Sequence, residues 1–241
     1  MNIPTIEQML EAGVHFGHST SRWHPKMKPF IYFERQGVHV IDLEKTQTQL
    51  ESVLADVRQM AAEGKQILFV STKPQAREIV RQAAIDCEMP YLVDRWIGGL
   101  LTNFSEMKKL FKKYLGLKEQ QLSGELERYT KQEQVRISKE LAKHDESIGG
   151  IARLERLPDA IFVPAVQREK TAITEANRTG VPVIGVCDSN ADPSKADYVI
   201  PANDDAIRSI TMMVHLVRDA IKEGRAEYTK QQIAAKAAVK A

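Results

Sequence analysis

The sequence predicts an α/β fold, a parallel sheet with helices on both faces, with an antiparallel helical hairpin inserted into it. Three observations predict this. Short apolar runs, ILFV at 67–70 and AIFV at 160–163, lie between turn residues and read as strands buried on both faces. Helix-period segments follow them at 74–86 and 168–179, so strands and helices alternate. One stretch, 103–149, breaks the alternation with two lysine-rich apolar stripes and no strand.

Taken in order, residues 4–13 read as a short helix. Thr5 can cap it, Ile6, Met9 and Leu10 share a face, and Gly13 can end it. Residues 14–37 carry Gly17, Pro25, Pro29 and Gly37, and read as an ordered loop region with one short strand, Phe30 to Phe33. Val38 to Ile41 is a further short strand. Residues 43–63 form a helix on Leu43, Leu50, Leu54, Val57 and Met60, and Gly64 stops it. After the strand Ile67 to Val70, Pro74 suits the first turn of the helix 74–86. Tyr91 to Val93 is a weak extended segment. Beyond residue 150 come the strand Ala160 to Val163, a helix ending at Gly180, and strands at Val183 to Val186 and Tyr198 to Ile200. A long helix, 204–223, ends at Gly224. Short connections between parallel strands imply right-handed crossovers.

The interrupting stretch carries Phe104, Met107, Leu110, Phe111, Tyr114 and Leu117 on one helix, and Val135, Leu141 and Ile148 on a second. SGEL supplies the turn between them. Helices of about 20 residues are roughly 30 Å long, and stripes this narrow suit pairing with each other better than burial in a core. The expected organisation is therefore an α/β domain from 1–102 and 150–224, an inserted hairpin at 103–149, and a flexible basic tail at 225–241.

The charge balance is close to neutral, 34 Lys and Arg against 32 Asp and Glu. Any nucleic-acid footprint must then come from local clustering rather than from net charge. Cys87 and Cys187 are the only cysteines, which excludes a disulfide framework and a four-thiolate zinc site. The N-terminus lacks a basic stretch followed by an apolar run. No apolar run approaches the roughly 20 residues that span a bilayer. A cytoplasmic protein without membrane contact is the expectation.

Catalytic motifs are missing. There is no GxxxxGK[ST] loop, no GxGxxG after a strand and no GxSxG elbow. Gly98 and Gly99 in RWIGGLLTN read as a tight turn. His15 and His18 in AGVHFGH have two readings, hydrogen bonding in a packed loop or contact with RNA phosphates and bases. Asp188, Asp204 and Asp205 follow the ends of two strands, where open α/β sheets bind ligands. With His24 folded over that edge they could hold a divalent ion, zinc or magnesium. The simpler reading is an Asx turn at Asp188 and helix caps at 203–205. In SRWHPKMKPFIYFERQ, Arg22, Lys26, Lys28 and Arg35 alternate with Trp23, Phe30 and Tyr32. That mixture suits RNA, with cations on phosphate and rings on bases, and equally a surface loop pinned by its aromatics. Lys108, Lys109, Lys112 and Lys113 cluster more sharply, on a face that reads either as RNA contact or as a solvated helix.

These residues resemble one family, the bacterial type of small-subunit ribosomal protein S-two. The matching segments are MLEAGVHFGHSTSRWHPKMKPFIYFERQGVHVIDLEKT at 9–46, ILFVSTKPQAREIV at 67–80 and RWIGGLLTNF at 95–104. They continue with SIGGI at 147–151, LPDAIFV at 157–163, EANRTGVPVIGVCDSNADP at 175–193 and VIPANDDAIRSI at 199–210. The resemblance implies a flavodoxin-like α/β domain with an inserted coiled-coil hairpin. It implies a structural role with no catalytic activity, no required cofactor and no small-molecule substrate. The implied partners are small-subunit ribosomal RNA near the junction of head and body, neighbouring small-subunit proteins, and the mRNA-binding protein S-one, whose recruitment supports translation initiation. Carried onto matching positions, the RNA-facing candidates are His15, His18, Arg22, Trp23, Lys26, Lys28 and Arg95, with the hairpin lysines. Family members can carry another polar residue at the position of His24.

Overall fold

The structure, a computed structural model, describes residues 3–239, with side chains for all of these except 127 and 234–239. The N-terminal helix α1 (Ile6–Glu11) opens on a capping box. The Thr5 hydroxyl accepts from the Gln8 amide and the Gln8 side chain accepts from the Thr5 amide. Strands β1 (Phe16–Ser19), β2 (Ile31–Arg35) and β3 (Val38–Ile41) then form a small antiparallel sheet in the order β1-β3-β2. Gln36 and Gly37, both at positive φ, make the two-residue hairpin turn between β2 and β3. The expected loop region over 14–37, with its one short strand, thus carries a second strand, β1. β1 escapes a pattern reading because FGHS has no apolar alternation.

The main sheet is parallel and five-stranded: β4 (Ile67–Val70), β5 (Tyr91–Leu92), β6 (Ala160–Val163), β7 (Val183–Cys187) and β8 (Tyr198–Pro201), ordered β5-β4-β6-β7-β8. Counted within the sheet this is 2-1-3-4-5, the flavodoxin-like order. Alternate residues of each strand face opposite cores. Ile67, Phe69, Ala160, Phe162, Ile184 and Val186 enter one apolar cluster, and Leu68, Val70, Ile161, Val163, Val183 and Cys187 enter the other. That two-sided burial is why these strands read as unbroken apolar runs.

The first face is covered by α2 (Leu43–Ala62), α3 (Pro74–Asp86) and α7 (Ile207–Val239). The second is covered by α6 (Lys170–Thr179), and buried residues of α4 (Phe104–Leu122) and α5 (Lys131–Ile148) join its apolar cluster. The 103–149 stretch is helical, as its periodicity predicts. Its stripes do not serve only each other: Met107, Phe111, Tyr114, Leu141 and Ile148 belong to the same buried cluster as Leu68 and Ile161 of the sheet. Ion pairs bridge α4 and α5, Lys113 to Glu140 at 3.2 Å and Lys118 to Asp145 at 2.6 Å.

The C-terminal expectation needs correction. Gly224 does not end the last helix, and α7 runs through it to Val239. A Cβ at Gly224 would lie 2.2 Å from the Arg58 carbonyl oxygen. The glycine is there so that α2 and α7 can touch backbone to backbone. Past it, Glu227 accepts from the Arg58 guanidinium, Tyr228 packs on Gly64, and Arg225 donates to the Cys87 and Glu88 carbonyls at 3.0 Å. The start of the expected flexible tail, Arg225 to Tyr228, is therefore helix fastened to the body. Residues 240–241 lie outside the described residues.

Candidate nucleic-acid interface and strand-end cluster

The C-terminal edge of the sheet gathers the acidic residues, and it does so around His18. Asp188 follows β7 and is fully buried. One of its carboxylate oxygens accepts from the Ser189 amide, and the other accepts from the Asp204 amide at 3.2 Å. The imidazole of His18 bridges two carboxylates, with Nδ1 3.1 Å from Asp188 and Nε2 3.2 Å from Asp205. Gly17 makes this placement possible, since a Cβ there would stand 2.8 Å from Ser189 Oγ and 2.9 Å from the His39 carbonyl. The Ser189 hydroxyl accepts from the His18 amide at 2.7 Å, which pins β1 across the sheet edge. The donor atoms of His18, Asp188 and Asp204 all lie within 4.8 Å of one another, a spacing that could hold a cation.

His24 is not part of this group, contrary to the expected ligand set. Its Nδ1 accepts from the Lys26 amide at 3.3 Å and caps a short 3₁₀ turn, and its Nε2 faces Asp192 at 3.9 Å. The backbone amide of His24 donates to the Ser189 carbonyl at 2.8 Å. The segment does fold over the sheet edge, but it presents the histidine six positions earlier to the acidic residues.

Lys73, at the end of β4, is the member of the cluster that motif reading missed. Its buried ammonium donates to Asp204 Oδ1 at 2.9 Å, to Asp205 Oδ1 at 2.6 Å and to the Asp204 carbonyl. A lysine opening a helix in STKPQ carries no motif, and only the fold brings it to residue 204. Burial works to lower its pKa, but the hydrogen bonds of Asp205 and Asp204 outweigh that and hold it above the usual value. Burial, reinforced by the charge of Asp188, pushes Asp204 up to about 6. The Asp188 carboxylate, which accepts from the His18 imidazole, holds His18 above its ordinary value, against burial. Asp205 is pulled down chiefly by Lys73, overcoming its own partial burial. The helix cap itself belongs to Asn203, whose side-chain oxygen accepts from the Asp205 amide at 2.8 Å and the Ala206 amide at 3.2 Å.

The expected RNA-facing residues divide into two groups. His15 is half-buried against Phe16, ring centroids 4.0 Å apart, and burial lowers its pKa. Trp23 lies on His39 at 5.1 Å. Lys26 is held by Ser194 at 2.6 Å and Asp192 at 3.4 Å. Lys109 pairs with Glu106, and Lys113 with Glu140. By contrast, Arg22, Lys28, Arg95 and Lys112 are exposed, Lys108 is half-exposed, and none of these five has a side-chain partner among the described residues.

Burial raises the thiol of Cys87 to about 12 and raises that of Cys187 as well, so neither is a thiolate at neutral pH. Among the described residues no helix is long and apolar enough to cross a membrane.

Residues 9–224 match the family model described as Ribosomal protein S2. Three curated relatives are each named small ribosomal subunit protein uS2. The relative from Coprothermobacter proteolyticus is 49% identical over 93% of this chain and 84% of its own length. That from Chlorobaculum tepidum is 44% identical over 95% of this chain and 92% of its own. That from Parabacteroides distasonis is 42% identical over 100% of this chain and 87% of its own. The resemblance carried by the motifs and the flavodoxin-like strand order agree with these matches, and the chain belongs to the ribosomal protein S2 family, structural and non-catalytic constituents of the small ribosomal subunit.

Proposed function

We propose that this chain binds small-subunit ribosomal RNA near the junction of head and body, through its N-terminal segment, Arg95 and the lysine face of α4. The observation that carries this is that five of the candidate residues, Arg22, Lys28, Arg95, Lys108 and Lys112, have no side-chain partner among the described residues. Arg22 adjoins Trp23 in the chain, and exposed cations and half-exposed rings of this kind are groups available to phosphates and bases. In this reading 103–149 acts as a projecting coiled-coil hairpin, and 1–102 with 150–224 acts as the body that presents it. Co-sedimentation of the native protein with small subunits tests the placement. Retention that falls steeply with salt is expected, and a wholly free pool would sink it.

Recruitment of protein S-one needs a protein-binding surface. Five exposed apolar side chains, Ile6, Leu10, Phe16, Tyr32 and Phe33, gather at one hollow between α1 and the small sheet, and Tyr32 is 70% exposed. Contiguous apolar exposure of this kind marks interaction sites. Phe16→Ser with Phe33→Ser should reduce co-purification of S-one with small subunits while leaving the chain itself incorporated. Undiminished S-one would overturn the assignment.

A structural divalent ion is the remaining proposal, held by His18, Asp188 and Asp204 with Asp205 beside them. Nitrogen and oxygen donors suit zinc, and the strain on Asp204 is what a cation would relieve. Lys73 already supplies one positive charge to this site, so the ion is not required for the fold. Chelator should lower Tm if the ion is bound. An unchanged Tm together with no metal in elemental analysis leaves the cluster as an internal ion-pair network.

A further inference from the structure

In a sheet of this order the strand direction of assembly reverses between β4 and β6, and ligands of open α/β proteins sit outside that point. Two adjoining hollows lie there, about 500 Å³ and 570 Å³ in volume, sharing Thr72 and Arg168. Arg95 and Trp96 line the first, and Gln167, Lys170 and Asn190 line the second.

The inner donors of this crevice are already taken. The amide and hydroxyl of Thr72 both donate to the buried Glu169 carboxylate, at 2.6 Å and 2.8 Å. Lys73 is committed to Asp204 and Asp205. Carboxylates line both hollows, Asp94 and Glu169 in the first and Asp204 and Asp205 in the second. The outer cations are not taken: Arg95, Arg168 and Lys170 are exposed and have no side-chain partner among the described residues. Asn190 also lines the second hollow, and its side-chain oxygen is buried without a hydrogen-bond partner.

We propose that this edge is a second RNA surface, on which Arg95, Arg168 and Lys170 take successive backbone phosphates across the two hollows. The inference rests on the reading of the chain as a ribosomal-RNA binder and adds a site to it, with Arg168 and Lys170 as its new members. Inner-shell occupancy by Glu169 explains why the surface takes an extended phosphodiester chain rather than a single nucleotide.

The test uses the full-length chain rebinding to small ribosomal subunits depleted of it, across a salt series. For the double variant Arg168→Ala, Lys170→Ala, binding near 0.1 M salt should weaken at least about tenfold, and the slope of log affinity against log salt should fall by about 1.5. A control of equal charge, Lys222→Ala with Lys230→Ala on the exposed side of α7, should leave the slope within error of wild type. A photoreactive side chain at position 170 should label RNA. A slope equal to that of the control, or labelling of protein alone, would overturn the inference while leaving the broader RNA reading in place. So would retention of ATP by the free protein that Arg168→Ala abolishes. A wild-type chain that fails to rebind at all would overturn both.

Discussion

The strand-end cluster and the lysine face of α4 both carry dense charge, and they use it in opposite ways. At the strand ends, His18 and Lys73 sit within hydrogen-bonding distance of Asp188, Asp204 and Asp205. On α4, Lys108 and Lys112 point at nothing in the protein. A pattern of charged residues therefore says little until its pairing is known. Charges that close on themselves are architecture, and charges left open are available to a partner. Substitutions in the first region should act on stability and leave assembly intact, and substitutions in the second should do the reverse.

The largest stability effect should come from the closed class at Glu175. Its buried carboxylate accepts from Trp96 Nε1 at 3.0 Å, from the amides of Gly99, Leu101 and Thr102, and from the Thr102 hydroxyl. Glu175→Ala strands these donors, and urea denaturation should show a loss of about 3 kcal/mol or more. Burial works to raise the pKa of Glu175, and the hydrogen bonds led by Trp96 more than reverse it. A depressed folded pKa means that this stabilisation is present above the unfolded value near 4.5 and is lost as pH falls through the folded one. If Glu175→Ala unfolds at the wild-type urea midpoint, the closed network is ornament.

Gly224→Val comes next. A side chain cannot enter the 2.2 Å gap to the Arg58 carbonyl, so α7 must lift from α2 at a cost of about 2 kcal/mol. Calorimetry should show a lower Tm, and Gly224→Ala a smaller drop in the same direction.

The strand-end cluster should give a milder, pH-dependent signature. Asp204, at about 6, and His18, also raised, both hold protons more tightly in the folded state than in the unfolded one. Stability from this cluster is therefore full on the acid side and falls as pH rises, from about pH 4 through 6 for Asp204 and above 6.5 for His18. Urea midpoints at pH 5.5 should exceed those at pH 7.5, and Asp204→Asn should flatten the difference. A wild-type midpoint that climbs steadily over this interval would mean that the cluster is not closed as described.

The smallest effect on stability, and the sharpest test of the contrast, is on α4. Lys108→Glu with Lys112→Glu should change stability by no more than about 0.5 kcal/mol, yet should weaken incorporation and flatten its salt dependence. Lys109→Glu with Lys113→Glu, which breaks pairs to Glu106 and Glu140, should impair incorporation less. Equal impairment would mean that pairing in the free protein does not predict which lysines meet RNA.

Much of the fold was legible because its strands are buried on both sides. ILFV and AIFV cannot be amphipathic anything, and their positions matched to the residue. Pro74 and Thr5 marked helix starts by local chemistry that does not depend on the rest of the chain. Gly224 misled because a glycine needed for close helix packing and one needed to end a helix look alike in one dimension. His24 misled for a related reason. Two histidines six positions apart compete for one acidic cluster, and only the path of β1 over the sheet edge, with Gly17 against Ser189, decides for His18. Lys73 and Glu175 were invisible because each acts on residues far along the chain, 131 and 73 to 79 positions away. β1 went unread because its partner strand, not its composition, makes it a strand.

The network at Glu175 also sets an order of events during synthesis. The segment from Trp96 to Thr102 leads directly into α4, yet the carboxylate that fastens it lies at least 73 residues later in the chain. At about 5–20 residues per second, that anchor emerges some 4–15 s after the segment it must hold. Until then the two lysine-bearing helices are translated, exposed and unfastened. A ribosomal component whose lysine-bearing helices are made before their clasp has an interval in which a chaperone or α6 itself must decide where those helices come to rest.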